Sequence, residues 1–148
     1  MRPKLRVFLD TSAIFVGIWS PSGGGRMILK LGEAGMLLLL TNAEVLGEFD
    51  RVLKRKAPES LGDLALVLDR SRLEIVPSPT QRIVDRCLEL IDHMGDARIF
   101  VPAWSAEVDY FVTFDRAHLL QNKLLQEEVP FPIGTPGDFL DWFRGELI

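Results

Sequence analysis

Apolar positions along the chain fall into short unbroken runs and into stripes at helical spacing. Leu5-Arg6-Val7-Phe8-Leu9 is a run of strand-forming residues that stops at Asp10, Thr11 and Ser12. A run of this length with polar bounds reads as a buried strand, although periodicity by itself leaves a short helix open. Ala13 to Trp19 follows as a short helix, broken by Ser20-Pro21-Ser22-Gly23-Gly24-Gly25 because glycine and proline punctuate. Arg26 to Ala34 is helical, with Gly35 suited to its C-terminal cap. Met36-Leu37-Leu38-Leu39-Leu40 is continuously apolar, as a parallel strand buried on both faces should be.

Thr41-Asn42-Ala43-Glu44 reads as a capping box with Thr41 as N-cap. It opens a helix carrying Val45, Leu46, Phe49, Val52 and Leu53 on one stripe and ending in Lys54-Arg55-Lys56, where cations favour the helix dipole. Ser60 to Arg72 predicts another helix, Leu73 to Val76 a strand stopped by prolines, and Thr80 the cap of a helix with Ile83, Val84, Cys87, Leu88 and Ile91 inward. Asp96 begins a helical stretch to about Glu107, weakened by Pro102. Tyr110 to Phe114 is a strand ending at Asp115, and Arg116 to Gln126 is partly helical. Phe131-Pro132-Ile133 reads as an edge strand, and Thr135-Pro136-Gly137-Asp138 opens a terminal helix. The alternation of strands and helices predicts an α/β fold. It is a three-layer α/β/α sandwich around a central, mainly parallel sheet of about four to five strands, in a single domain over residues 1–148.

Composition narrows this picture. The chain has 148 residues, 47% of them hydrophobic, and a net charge of -4. That supports a real core and argues against binding nucleic acid through bulk positive charge, though an acidic site can meet phosphate through cations. The single cysteine, Cys87, excludes an intrachain disulfide and a cysteine-rich zinc site, and points to a reducing interior. The basic start runs into Asp10 before any leader-like apolar core, and the longest apolar run, Met36 to Leu40, is too short to cross a bilayer. The expectation is a soluble, cytoplasmic protein that does not enter the membrane.

Candidate chemistry lies in the acids. Asp10 and Asp115 follow strands, and Asp96 starts a crossover helix, so all three belong at the carboxyl edge of the sheet, where open α/β folds build ligand sites. Neighbouring strand ends lie about 4.8 Å apart. Glu48 sits roughly 9 Å along its helix, at the border of the apolar stripe, and leans back toward that edge. Glu44 points further from the stripe and has a capping role. Asp109 begins the strand that Asp115 follows, so it belongs at the opposite edge. Taken singly, Asp10, Asp96 and Asp115 are also ordinary N-cap residues. Together, Asp10, Glu48, Asp96 and Asp115 would repel one another unless cations are bound, and oxygen-only ligands select Mg²⁺ or Mn²⁺. Such ions polarise phosphodiesters and activate water without a nucleophilic side chain. Thr11, Ser12 and Thr113 are the candidates for holding the carboxylates or an ion-bound water from behind. His93 and His118 read as surface residues. Phe15, Ile18 and Trp19 near the same edge are candidates for a partner groove.

These stretches resemble PIN domains in order and spacing. They are Val-Phe-Leu-Asp10-Thr-Ser, the helix Glu44-Val-Leu-Gly-Glu48-Phe-Asp-Arg-Val-Leu, Asp96-Ala-Arg-Ile, and Phe-Val-Thr113-Phe-Asp115. The tail Pro-Ile-Gly-Thr135-Pro-Gly-Asp-Phe-Leu resembles the ending of that family's toxin-like branch. The resemblance implies a PIN-like fold and a metal-dependent endoribonuclease leaving a 5′-phosphate and a 3′-hydroxyl. It also implies a homodimer and the toxin half of a toxin–antitoxin pair, with an antitoxin protein and RNA as partners. Asp10, Glu48, Asp96 and Asp115 match the family's acids and Thr113 its polar residue, while Pro102 departs from the pattern. The competing expectations are a phosphotransfer domain and a non-catalytic PIN-like scaffold that binds RNA or protein. A dehalogenase-like phosphatase wants an aspartate where Ser12 stands, and a receiver domain wants a late lysine absent from Ile133-Gly134-Thr135.

Overall fold

A computed structural model describes residues 4–89 and 94–147, the side chains of 60, 61, 63, 64, 94–99, 118, 124 and 128 excepted. The calls on Ile91 and His93, and on the side chain of His118, lie outside the described residues. Five strands form one sheet in the order β3-β2-β1-β4-β5: β1 (Leu5–Leu9), β2 (Leu37–Thr41), β3 (Glu74–Ile75), β4 (Tyr110–Val112) and β5 (Ile133–Gly134). Every pairing is parallel. The helices between them are α1 (Thr11–Trp19), α2 (Gly24–Glu33), α3 (Ala43–Lys56), α4 (Leu61–Arg70), α5 (Gln81–Leu88), α6 (Met94–Ser105), α7 (Lys123–Glu128) and α8 (Pro136–Glu146). The predicted α/β/α sandwich around a parallel sheet is therefore the observed one.

The strand register sorts the core into two faces. Val7 pairs with Leu39 and Tyr110, while Phe8 pairs with Leu40 and Phe111; side chains one residue apart point to opposite faces of a sheet. On the first face Gly32 of α2 lies against Leu39, where an added Cβ would come within 2.5 Å of a Leu39 methyl. Phe139 and Trp142 of α8 each meet the Tyr110 ring at 5.1 Å there. On the second face Phe100 of α6 stacks on Phe111 at 4.8 Å, which stacks on Phe8 at 5.1 Å. Phe8, Phe100 and Phe111 are wholly buried, so this aromatic pile accounts for much of the area removed from water on that face.

The sequence pattern located most elements, with four adjustments. Thr41 does not cap α3. It is the last residue of β2, its hydroxyl donating to the Leu9 carbonyl at 2.9 Å, and Asn42 caps the helix by accepting from Val45 N–H at 2.8 Å. The strand after Leu73 keeps only two paired residues, both exposed, at the sheet edge. Tyr110–Val112 is shorter than predicted, ending before Thr113, although the Thr113 N–H still donates to the Gly134 carbonyl. Pro102 lies inside α6 without ending it. The Thr135 cap held in full: its hydroxyl accepts from Asp138 N–H at 3.1 Å and Asp138 accepts from Thr135 N–H at 3.0 Å.

Candidate functional site at the carboxyl edge of the sheet

Three strands stop together at one edge. Asp10 N–H donates to the Val112 carbonyl at 3.3 Å and Thr113 N–H to Gly134 at 2.9 Å, so the residues just past β1 and β4 stay in register after the strands end. This brings Asp10 and Thr113, 103 positions apart in sequence, into direct contact: the Thr113 hydroxyl donates to Asp10 Oδ2. The same Thr113 oxygen accepts from Asp115 N–H at 3.0 Å. Asp10 Oδ1 accepts from Ser12 Oγ at 2.7 Å and from Ala13 N–H at 3.0 Å. Asp10 thus is the N-cap of α1, as an isolated aspartate there would be, and at the same time the hub of a hydroxyl network.

Glu48 reaches this hub from α3. Thr11 Oγ1 donates to Glu48 Oε2 at 3.2 Å, and Phe15 of α1 packs edge-on against Phe49 of α3, ring centres 6.3 Å apart. The aromatic contact seats the two helices, and the preceding residue, Glu48, is exposed beside it. Asp109 is where predicted, at the other end of β4: it accepts from Arg6 N–H at 2.7 Å, beside the first residues of β1. Glu44 lines a different feature, a cavity of about 630 Å³ between the start of α3, α5 and α6, walled by Val76, Val84 and Val101. None of Asp10, Glu48 and Asp115 borders it.

Asp96 falls within the first turn of α6 and not at its cap, and its side chain is outside the described residues. The backbone still says which end of the sheet that turn occupies. Just beyond the C-terminus of α6, the Ala106 carbonyl accepts from Arg6 Nε at 3.0 Å, at the amino edge of β1. A helix of 12 residues rises about 18 Å, so its first turn lies toward the carboxyl edge.

The electrostatics of the hub are unfavourable as it stands. Asp10 is 4% exposed and Thr113 fully buried. Burial raises the Asp10 carboxyl above its ordinary value, the bonds from Thr113, Ala13 and Ser12 pull it back, and the nearby Asp115 raises it further. Among the described residues no ion pair reaches Asp10 or Glu48. Nor do three carboxylate, histidine or cysteine side chains among them stand close enough to enclose a metal ion. Asp10 is therefore bonded to Thr113, which accepts from the Asp115 backbone, while Glu48 is bonded to Thr11, the residue after Asp10, and the described side chains form no closed cage.

One residue at this edge escaped the sequence reading. Phe114, between Thr113 and Asp115, is 38% exposed, and its N–H donates to Ser12 Oγ at 3.0 Å. In a Phe-Val-Thr-Phe-Asp run it reads as one more strand residue; the signal lay in its following a threonine that turns inward.

The resemblance to known proteins is one of shape. The chain has a PIN-like fold. It superposes on the crystal structure of PAE2754 from Pyrobaculum aerophilum with a TM-score of 0.58, covering 94% of this chain and 97% of that one at 17% identity. A looser likeness, TM-score 0.49, is to VapC20 of Mycobacterium tuberculosis, a toxin that cleaves the sarcin–ricin loop, over 78% of this chain and 95% of that one at 18% identity. No family model matches the sequence, and no curated protein is significantly similar to it. No helix among the described residues is long and apolar enough to cross a membrane.

Proposed function

We propose that the protein is a metal-dependent endoribonuclease whose acidic edge, Asp10, Glu48, Asp115 and Asp96, holds Mg²⁺ or Mn²⁺. The observation that carries this reading is the meeting of acids from three distant stretches at one sheet edge, wired by Thr11, Ser12 and Thr113. The donor set fits such an ion. It consists of carboxylate oxygens, and Mg²⁺ is commonly held by one or two carboxylates with several waters retained, so an open arrangement suffices where a structural zinc would want a closed shell. The repulsion between Asp10 and Asp115 is the charge imbalance a cation offsets.

When bound, the ion would polarise the scissile phosphodiester and activate a water. The chain's own part is to hold its carboxylates in place and aimed. Thr113 and Ser12 fix the Asp10 plane from both sides, and Thr11 tethers Glu48, which stays exposed and able to shift toward an incoming phosphate. The resemblance of the Thr135–Leu140 tail to the toxin-like branch supports a place in a toxin–antitoxin pair, with a homodimer as the working assembly in the cytoplasm. RNA hydrolysis with Mg²⁺ by wild type and by Asp10→Asn is the test, and equal rates reject the assignment.

A second reading, a PIN-like scaffold without catalysis, is favoured by one observation: every Asp10 oxygen already has a donor. Calorimetric titration with Mn²⁺ separates the two. Binding that vanishes in Asp10→Asn supports the nuclease, and no binding supports the scaffold.

A further inference from the structure

We infer that Phe114 is a stacking platform for an unpaired nucleobase next to the phosphate held at the acidic edge; the inference rests on the ribonuclease reading. The chain has nine phenylalanines. Among the described residues, eight of them take part in aromatic pairs: Phe8, Phe15, Phe49, Phe100, Phe111, Phe131, Phe139 and Phe143. Phe114 is in none of these pairs, and neither apolar cluster of the core includes it.

An exposed phenylalanine is unremarkable by itself. Its setting is what matters here. Phe114 is flanked by Thr113, which donates to Asp10, and by Asp115, which acts on Asp10 through its charge. Its backbone is held, not loose: Ser12 Oγ accepts from Phe114 N–H while donating to Asp10 Oδ1. One hydroxyl thus sets both the carboxylate plane and the root of the aromatic side chain. Thr113 is pinned in turn by the bond from its N–H to Gly134.

The acidic surface needs such a contact. With a net charge of -4, the chain lacks the bulk positive field that usually gathers a polyanion. Binding must draw on local terms, and a base face on an aromatic ring is sequence-tolerant and does not depend on charge. Stacking demands a splayed base, which a duplex withholds.

The test uses the full chain with Phe114→Ala, Phe114→Leu and Phe114→Trp. The probe is a fluorescein-labelled, unstructured 12-nucleotide RNA, alongside the same oligomer built from abasic residues. Affinity is read by anisotropy with Ca²⁺ in place of Mg²⁺, cleavage with Mg²⁺, and fold by melting temperature. The expected result is that Ala and Leu weaken RNA binding about tenfold or more, that Trp binds at least as well as wild type, and that wild type and Ala bind the abasic oligomer equally. Mn²⁺ binding stays as in wild type and the melting temperature falls by a few degrees at most, since the ring is partly exposed and stacks on none of the aromatic pairs of the core.

Ala within twofold of wild type overturns the platform, as does rescue by Leu equal to Trp, or a wild type that binds no RNA. If Phe114→Ala cleaves like wild type while Asp10→Asn is dead, the platform fails and the nuclease stands. If RNA binding depends on Phe114 but wild type never cleaves, the platform stands and the nuclease fails.

Discussion

The two flanks of the acidic edge are built differently. On the β4 side Asp10 and Thr113 are buried, and each polar atom there has a partner in register with the sheet. On the α3 side Glu48 is exposed and held by one 3.2 Å bond from Thr11. The buried flank buys aim at the cost of a carboxyl pushed up by desolvation, and the exposed flank keeps its charge solvated and its position adjustable. A hard cation, which dehydrates reluctantly, is well served by one rigid ligand and one that can move.

The sharpest way to break this contrast is Asp10→Asn. Loss of a rigid ligand should lower cleavage by at least about 100-fold, above the range seen for supporting groups, and the same variant should melt higher than wild type without metal because a buried charge beside Asp115 is gone. Added Mn²⁺ should raise the melting temperature of wild type only. A variant that melts lower without metal would show that the Asp10 hydrogen bonds outweigh its desolvation.

Thr113→Val comes next. It removes the donor to Asp10 and the acceptor of Asp115 N–H, leaving buried polar atoms unmatched at about 1–3 kcal/mol each. Urea unfolding should register that loss, with cleavage down about 10- to 100-fold. Thr113→Ser should restore most of the activity while giving up about 1 kcal/mol for the buried methyl.

The pH dependence follows from the raised Asp10 carboxyl. Its folded value lies above the ordinary 3.8, so the native state holds the proton more tightly than the unfolded chain. That contribution to stability is complete below the unfolded value and is lost as pH rises through the folded one. Urea midpoints against pH, wild type compared with Asp10→Asn, should differ by a falling component that opens near 3.8 and disappears in the variant.

Glu48→Gln should matter least to the fold, within about 0.5 kcal/mol as for other exposed substitutions, because the amide oxygen still accepts from Thr11. Its effect should appear as roughly tenfold weaker Mn²⁺ binding by calorimetry. A large drop in melting temperature would mean that the exposed flank is structural after all.

How far the residues alone disclosed this edge depends on the kind of signal each carries. Asp10 and Asp115 were legible because a strand-length apolar run ends at each, and strand ends are chain-local. Glu48 needed helix geometry and the choice against Glu44, and its Thr11 bond is consistent with that choice. Thr113 was legible as a polar residue at a strand end, but its inward turn to Asp10 is a contact between positions 103 apart, which no local window contains. The Thr41 cap was misplaced by one residue because Thr41 and Glu44 have the spacing of a capping box, and only the neighbouring strand's Leu9 carbonyl shows that Thr41 stays in the sheet. Phe114 was read as strand because aromatic residues favour strands; that it stays partly exposed, outside both core clusters, is visible only when the core is assembled.

The sheet order sets one further limit, on when the edge can exist at all. β1 lies between β2 and β4, and the donor to Asp10 Oδ2 comes from Thr113, 103 residues later in the chain. A ribosome partway through the message therefore carries a nascent chain with an unfinished edge. Translation must pass the codon for residue 115 before the last acid of the set is made, so on the proposed reading no shorter nascent chain can offer a cation all four carboxylates.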